Sequence, residues 1–295
     1  MKTIFLFVKS MRLYQWVKNT FIFAPMVFSL HFFHLDYIKK SAAAFFLFSL
    51  VTGSIYIFND CFDKKKDKYH PEKRKRPIAS GELTVPTAAI GAAMMLVVSL
   101  FAIFKFNFQF FIIALIYIGM NVLYSYILKN IVILDVMVIA IGFVLRVKIG
   151  GEINNIELSV WILMITFLLA IFLGLIKRRQ ELVKINMIEG RSDPFPRITL
   201  KKYNIALLDQ LISITTATTL ISYIIYVVNP DIQEKFHTKQ LYLTVPFVVF
   251  GIFRYLYLTY TKDKGESPAE ILFSDLPFSL NIIAWVTVFI LIIFY

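Results

Sequence analysis

Nine apolar stretches, each long enough to cross a bilayer, run through this sequence at 17–34, 41–58, 85–104, 107–128, 131–149, 158–176, 205–228, 241–260 and 277–295. A spanning helix needs roughly 20 apolar residues. Lipid offers no partner for a backbone N–H or C=O, so only helices and closed barrels cross it. The separate apolar runs of four to eight residues that mark buried strands are missing, which removes the barrel. An all-α, polytopic membrane protein with nine transmembrane helices is therefore expected. Composition agrees: 58% of the 295 residues are hydrophobic, with 30 Phe and 15 Tyr for lipid-facing surfaces and interfacial belts. Lys2, Lys9 and Arg12 precede no small-residue cleavage site, so no removable signal peptide is expected. The single cysteine, Cys61, excludes an internal disulfide. No repeat of 20–50 residues is evident.

Charge sets the orientation. With the N-terminus inside, the inside segments hold 23 of the 31 Lys and Arg residues and the outside segments 6, with Arg146 and Arg254 within spans. The bias predicts a cytoplasmic N-terminus in the plasma or inner membrane and an external C-terminus. The net charge of +12 then sits mostly on one face. A diffuse basic face attracts anionic lipid. Membrane lipids, and no nucleic acid, are the partners this implies. Lipid attraction leaves unexplained the acidic residues set among the cations.

Only two connections are long, 59–84 and 177–204, and both fall inside. Long loops in a compact protein are more often functional than structural. The first carries Asn59, Asp60, Asp63 and Asp67 directly after the second apolar stretch. If that helix continues, the three Asp residues lie within about 60° of one another on one face. Such a stripe repels itself unless a cation lies along it. Magnesium takes one or two carboxylates together with substrate phosphate oxygens and water, and Asn59 adds a neutral oxygen. Lys64, Lys65, Lys66 and Lys68 interleave, so a solvated charged helix end is the alternative. Lys73 and Arg76 follow closely, suited to phosphate. His70 reads either as a phosphate donor or as a helix-end residue ahead of Pro71. Carboxylates and cations at the mouth of a membrane helix point to an enzyme joining a phosphorylated, water-soluble substrate to a lipid.

The second loop opens with Lys177-Arg178-Arg179-Gln180-Glu181. Positive-inside anchoring with a Lys177–Glu181 pair at i, i+4 is one reading, substrate binding the other. Within the fifth stretch, Asp135 and Arg146 stand on one helical face about 16 Å apart, too far to pair. Intramembrane charges are costly and usually line a polar cavity. Asp135 belongs at the inside mouth. Arg146 either lines the cavity or snorkels outward beside Lys148. Lys18 and Lys129 also point to the inside mouth. The expected architecture is thus nine helices around a cavity open to the cytoplasm.

These residues carry a resemblance. Gln15-Trp16-Val17-Lys18-Asn19, the run Asn59 to Asp67 with His70-Pro71, Lys73 and Arg76-Pro77-Ile78-Ala79-Ser80-Gly81, Leu128-Lys129 with Asp135, Gly142 to Arg146 with Gly150-Gly151, Trp161, and Lys177 to Glu181 resemble the UbiA-type intramembrane prenyltransferase superfamily. Within it they look like the decaprenyl-phosphate phosphoribosyltransferase branch. The similarity runs from about residue 12 to 181. Pro268-Ala269-Glu270 and Asp275 extend it, although Leu276 stands where the pattern has Arg. Ordinary members carry a second Asp-rich motif after the sixth span. Here that place holds Lys177-Arg178-Arg179-Gln180-Glu181, which suits a substrate with an additional phosphate.

The resemblance implies one transmembrane catalytic domain over 1–295. It also implies Mg2+-dependent transfer of 5-phosphoribose from phosphoribosyl pyrophosphate to a polyprenyl phosphate, a step in making a cell-wall precursor. Asp60, Asp63 and Asp67 become catalytic, and Asn59 joins them on the metal. Lys18, Asn59, His70, Lys73, Arg76, Lys129, Asp135, Arg146, Lys177, Arg178 and Glu181 become substrate-binding residues. Prenyl transfer from a prenyl diphosphate to an aromatic or other acceptor is the nearest alternative. A transporter using Asp135 and Arg146 is a third, but it predicts repeat symmetry and broken helices that the sequence lacks.

Overall fold

The computed structural model describes residues 2–31, 33–69, 73–186, 198–261, 271 and 274–294. His70 and the 268–270 segment lie outside them. Among the described residues every regular element is helical. Seven helices are long and apolar enough to cross a membrane: Leu35–Phe62, Val85–Phe106, Phe108–Tyr126, Val160–Ile185, Ile205–Val228, Gln240–Thr261 and Leu276–Phe294. The chain is an integral membrane protein.

Two of the nine expected spans differ from the rest. The stretch at 131–149 is helical over Leu134–Asn154 (α8), but it carries Asp135, Arg146, Lys148 and Glu152. The stretch at 17–34 is not one helix. It is a 3-10 segment, Leu13–Phe23, followed by the short helix Ala24–Phe28 (α2). Its polar residues account for the difference. Asn19 is buried and donates to Ser49 at 2.9 Å and Thr52 at 3.3 Å, so the segment lies against a neighbouring helix.

The chain divides into two compact units. The first comprises Met1–Lys129 with Ile141–Leu158. It contains Lys2–Ser10 (α1), the 3-10 segment, α2, Leu35–Phe62 (α3), the one-turn helices Lys64–Asp67 (α4) and Pro77–Ser80 (α5), Val85–Phe106 (α6), Phe108–Tyr126 (α7), and most of α8. At 28 residues α3 is about 42 Å long, more than the roughly 30 Å hydrocarbon core. The helix is therefore longer than the apolar slab, and Asn59 and Asp60 stand in its last turn. Thr84 and Asn107 cap α6 and α7 by accepting from Thr87 N and Phe110 N. Phe48, Val51, Phe110, Ala114 and Ile149 form the core where α3, α7 and α8 meet. A second cluster, with Leu6, Met11, Ile57, Ile78 and Leu83, packs α1 and α5 beside the end of α3.

The second unit comprises Asn130–Ala140 with Ser159–Tyr295. Its helices are the first turns of α8, then Val160–Asn186 (α9), Ile205–Val228 (α10), Pro230–Lys235 (α11), Val245–Thr261 (α12) and Leu276–Phe294 (α13). Asn204 caps α10 by accepting from Leu207 N at 2.7 Å. Val136, Phe172, Ile176, Leu208, Ile252 and Leu258 fill its core. Gly174 lets α8 approach closely, since a Cβ there would stand 2.6 Å from Val136 Cγ1.

Candidate active site

The acidic stripe is built where α3 ends. The helix stops at Phe62, and Asp63 adopts φ −87°, ψ 4°. The chain resumes as α4, with Asp67 N donating to Asp63 O at 2.8 Å. This break leaves Asp63 half-buried at the junction, while Asp60 and Asp67 are each 3% exposed. Arg76 closes the pair. Its Nη1 donates to Asp60 Oδ1 at 3.0 Å and to Asp67 Oδ2 at 2.6 Å. Pro77, the first residue of α5, favours the extended conformation seen at Arg76 (φ −70°, ψ 143°), which fixes the backbone that aims this side chain. Lys73 Nζ stands 3.9 Å from Asp67 Oδ1.

Arg12 also reaches Asp60 and lies over the Tyr56 ring at 5.2 Å. Its backbone is left-handed, with φ 54°, an uncommon conformation for a residue with a Cβ. Sequence reading missed this residue as part of the cluster. Forty-eight positions separate it from Asp60, and no periodicity links them. Asn59 Oδ1 accepts from Ser125 Oγ at 3.0 Å, which ties the start of the motif to α7. Lys18 and Lys129 are half-buried, in the 3-10 segment and in the turn Leu128–Asn130.

Among the described residues, no three His, Cys, Asp or Glu side chains come together as a metal site. A two-carboxylate site does not need three. Asp60 and Asp67 direct one oxygen each at a single cationic atom, and both are hard donors. That chemistry fits a divalent ion completed by phosphate oxygens and water.

Arg146 is wrapped in protein groups of the first unit. It is 4% exposed. Its Nε donates to Asn19 Oδ1 at 2.8 Å, Nη1 to Gly142 O at 2.6 Å and Nη2 to Tyr117 OH at 3.0 Å. Its guanidinium lies 5.0 Å from the Tyr117 ring centroid. It therefore does not snorkel outward.

The second unit holds its own charged cluster. Asp135 is fully buried and Arg178 is 1% exposed. Arg178 Nε donates to Asp135 Oδ2 at 2.7 Å and its Nη1 to Glu181 Oε2 at 2.7 Å. Tyr203 OH donates to Asp135 Oδ1 at 2.8 Å and accepts from Ile133 N at 2.7 Å. Ile133 carries φ 72°, costly for a β-branched residue, and the Tyr203 contact holds that turn at the entry to α8. Burial pushes the Tyr203 hydroxyl well above its ordinary range, and Asp135 adds to the shift. Lys177, the residue before Arg178 on α9, is exposed. Asp275 pairs with Arg254 at 2.9 Å and accepts from Phe278 N at 3.0 Å, which makes it a helix-entry group.

The comparisons bear on the family. Residues 20–283 match the model of the UbiA prenyltransferase family. The chain belongs to the UbiA prenyltransferase family. This member is 27% identical, over 95% of its length and 89% of the relative's, to a decaprenyl-phosphate phosphoribosyltransferase from Mycolicibacterium smegmatis. It is 31% identical to the uncharacterized protein y4nM from Sinorhizobium fredii, over 62% of this chain and 37% of that longer protein. The fold matches a UbiA homolog from Archaeoglobus fulgidus solved with GPP and Mg2+, with TM-score 0.69, 17% identity, and coverage of 98% of this chain and 99% of that one. The resemblance carried by the sequence is to the right family, seven of the nine expected spans are long, apolar helices among the described residues, and this UbiA member is an enzyme of that class.

Proposed function

We propose that this UbiA-family enzyme transfers 5-phosphoribose from phosphoribosyl pyrophosphate to a polyprenyl phosphate and releases pyrophosphate. The observation that carries the reading is the convergence of two buried carboxylates, Asp60 and Asp67, on Arg76, with Lys73 and Arg12 beside them. This is a place for a diphosphate and its counter-cation. The phosphoribosyltransferase relatives, aligned over nearly the whole chain, support the sugar donor over a prenyl diphosphate. So does the basic segment after α9's apolar stretch. Within it Arg178 is spent on Asp135 and Glu181, while Lys177 stays exposed. Lys177 is therefore our choice for the 5-phosphate.

In the reaction the anomeric C–O bond to pyrophosphate breaks and a new C–O bond forms to an oxygen of the lipid phosphate. Positive charge builds at the anomeric carbon, as in glycoside chemistry. The lipid phosphate is already anionic at neutral pH, so no general base is needed. Asp60 and Asp67 would hold Mg2+, with Asp63 and Asn59 as the further oxygen donors of the motif, and the ion would supply charge neutralisation for the leaving pyrophosphate. Arg76 and Arg12 offer planar donor forks to the same phosphates, and Lys18, Lys73, His70 and Lys129 offer further donors. Asp135, Arg146 and Glu181 act on the substrates through the residues they position. We read the chain as one catalytic domain of the plasma membrane, with both long loops cytoplasmic.

The test is direct. Membranes carrying the protein are incubated with labelled phosphoribosyl pyrophosphate, Mg2+ and a polyprenyl phosphate. Label should enter the lipid phase and should fall at least tenfold for Asp60→Asn. Label that stays aqueous, with turnover of a prenyl diphosphate onto an aromatic acceptor instead, would return the enzyme to ordinary prenyl transfer.

A further inference from the structure

One turn before Asp60 on α3 stands Tyr56, whose hydroxyl neither the carboxylate cluster nor the Arg146 cluster takes. Four residues separate Tyr56 from Asp60, so the two share nearly one helix face, with Tyr56 about 6 Å further from the helix end. Arg12 links them. It reaches Asp60 and lies 5.2 Å from the centroid of the Tyr56 ring. Tyr56 is half-buried. Among the described residues no group bonds its hydroxyl, and the oxygen keeps accessible surface, unlike the sealed Nε1 of Trp16. Tyr117, also in the first unit, differs: its hydroxyl accepts from Arg146 Nη2 at 3.0 Å. A phenol donor therefore stands open beside the carboxylates, on the side of the apolar stretch.

The surrounding charge is a second, independent observation. Arg12 and Arg76 are matched by Asp60 and Asp67. Arg146 is 4% exposed and is held by neutral acceptors, Asn19 Oδ1, Gly142 O and Tyr117 OH. The rings of Phe48, Tyr117 and Phe143 lie 5.0–5.5 Å from its guanidinium. Among the described residues no carboxylate pairs with it. A buried guanidinium without a counter-ion is costly, and in a low-dielectric surround its field carries beyond contact. Tyr56 lies within electrostatic range of both Arg146 and Arg12. An anion beside the Tyr56 hydroxyl would gain a donor and meet an unmatched positive charge. Water would satisfy the hydroxyl and leave the charge unmatched.

We propose that the Tyr56 hydroxyl donates a hydrogen bond to the phosphate of the lipid acceptor. It would thereby turn the nucleophilic oxygen toward the anomeric carbon of a donor whose pyrophosphate is held at Asp60 and Asp67. The identity of the acceptor rests on the phosphoribosyl-transfer reading. The order of groups along α3 assigns Tyr56 to the lipid. The carboxylates lie at the helix end with Lys73 and Arg76, where a water-soluble sugar phosphate arrives. Tyr56 lies within the apolar stretch 41–58, where a head group on a polyprenyl tail arrives. The bond moves no proton, since the lipid phosphate is already anionic and the phenol stays a donor.

Tyr56→Phe in the full-length protein keeps the ring beside Arg12 and removes only the hydroxyl. The thermal midpoint without lipid should not move, because no protein group loses a bond. KM for polyprenyl phosphate should rise roughly tenfold, and KM for phosphoribosyl pyrophosphate should stay. Binding is read separately by native mass spectrometry, with parent and variant titrated with polyprenyl phosphate and with the matching polyprenol. The variant should lose roughly tenfold for the phosphate and nothing for the alcohol. Binding needs no sugar donor. A parent that transfers no phosphoribose would defeat that reading, while a tenfold loss of lipid-phosphate affinity would still support Tyr56. Unchanged affinity for polyprenyl phosphate, a rise in KM for the sugar donor alone, an equal loss for the alcohol, or a lower midpoint of the lipid-free variant would each overturn the proposal.

Discussion

The carboxylates of Asp60 and Asp67, on different helices and seven residues apart, meet at one atom, Arg76 Nη1. Both are almost wholly buried, and the single guanidinium between them offsets a repulsion that would otherwise oppose the fold. Arg76→Ala leaves Asp60 with Arg12, and Asp67 with Lys73 at 3.9 Å. Loss of a charged hydrogen-bonding partner should destabilise the protein by about 1.5–3 kcal/mol. Mg2+ should raise the thermal midpoint of this variant more than that of the parent, because the place between the carboxylates is vacated. Equal shifts in the two proteins would show that the pair does not receive the ion.

The Asp135–Arg178 pair makes a sharper prediction about stability. Both side chains are buried, so deleting one leaves an uncompensated charge. Arg178→Leu should cost about 3–5 kcal/mol, seen as loss of folded yield in detergent. Adding Asp135→Asn should recover much of it. A double variant as unstable as the two single effects combined would mean that the residues are not coupled. Measured on the recovered double variant, KM for the sugar donor separates a structural pair from a substrate contact.

Local patterns made part of this legible. Apolar length announced the helices, and the spacing of Asp60, Asp63 and Asp67 placed carboxylates together. It did not announce the break at Asp63, which leaves Asp60 and Asp67 paired and sets Asp63 aside at the junction. Nor did apolarity reveal that 17–34 is a 3-10 segment. Asn19, fixed by Ser49, Thr52 and Arg146, decides that conformation, and all three partners are distant in sequence. Arg12 and Tyr203 were invisible for the same reason. A side chain that meets its partner 48 or 68 residues away leaves no period to read. The sequence neighbours of Arg178 likewise do not show that it is buried against Asp135 and Glu181.

Gly150 tests how α8 sits against the 3-10 segment. A Cβ there would fall 2.0 Å from the backbone oxygen of Ile22, which cannot swing aside as a side chain can. Gly150→Ala should destabilise by about 1–3 kcal/mol through overpacking. Gly119, on α7, has nothing within 4 Å of the corresponding position. Gly119→Ala should be neutral or stabilising by up to about 1 kcal/mol. Thermal midpoints of the two variants should move in opposite directions, or only the first should move.

Tyr203 predicts an alkaline limit. Its hydroxyl donates to Asp135 and accepts from Ile133 N, so Tyr203→Phe removes both bonds and should cost about 1–3 kcal/mol near neutral pH. Burial, and then Asp135, raise the hydroxyl above its ordinary 10.0. A folded-state pKa above the unfolded one means that the stabilisation is complete below pH 10. Above that pH the unfolded chain releases the proton first, and the stabilisation falls by up to about 1.4 kcal/mol per pH unit. Thermal midpoints of the parent and Tyr203→Phe, taken from pH 8 to 11, should differ by a constant amount up to about pH 9.5. The two curves should then converge. A difference that held unchanged to pH 11 would mean that the hydroxyl is not held as a buried donor to Asp135.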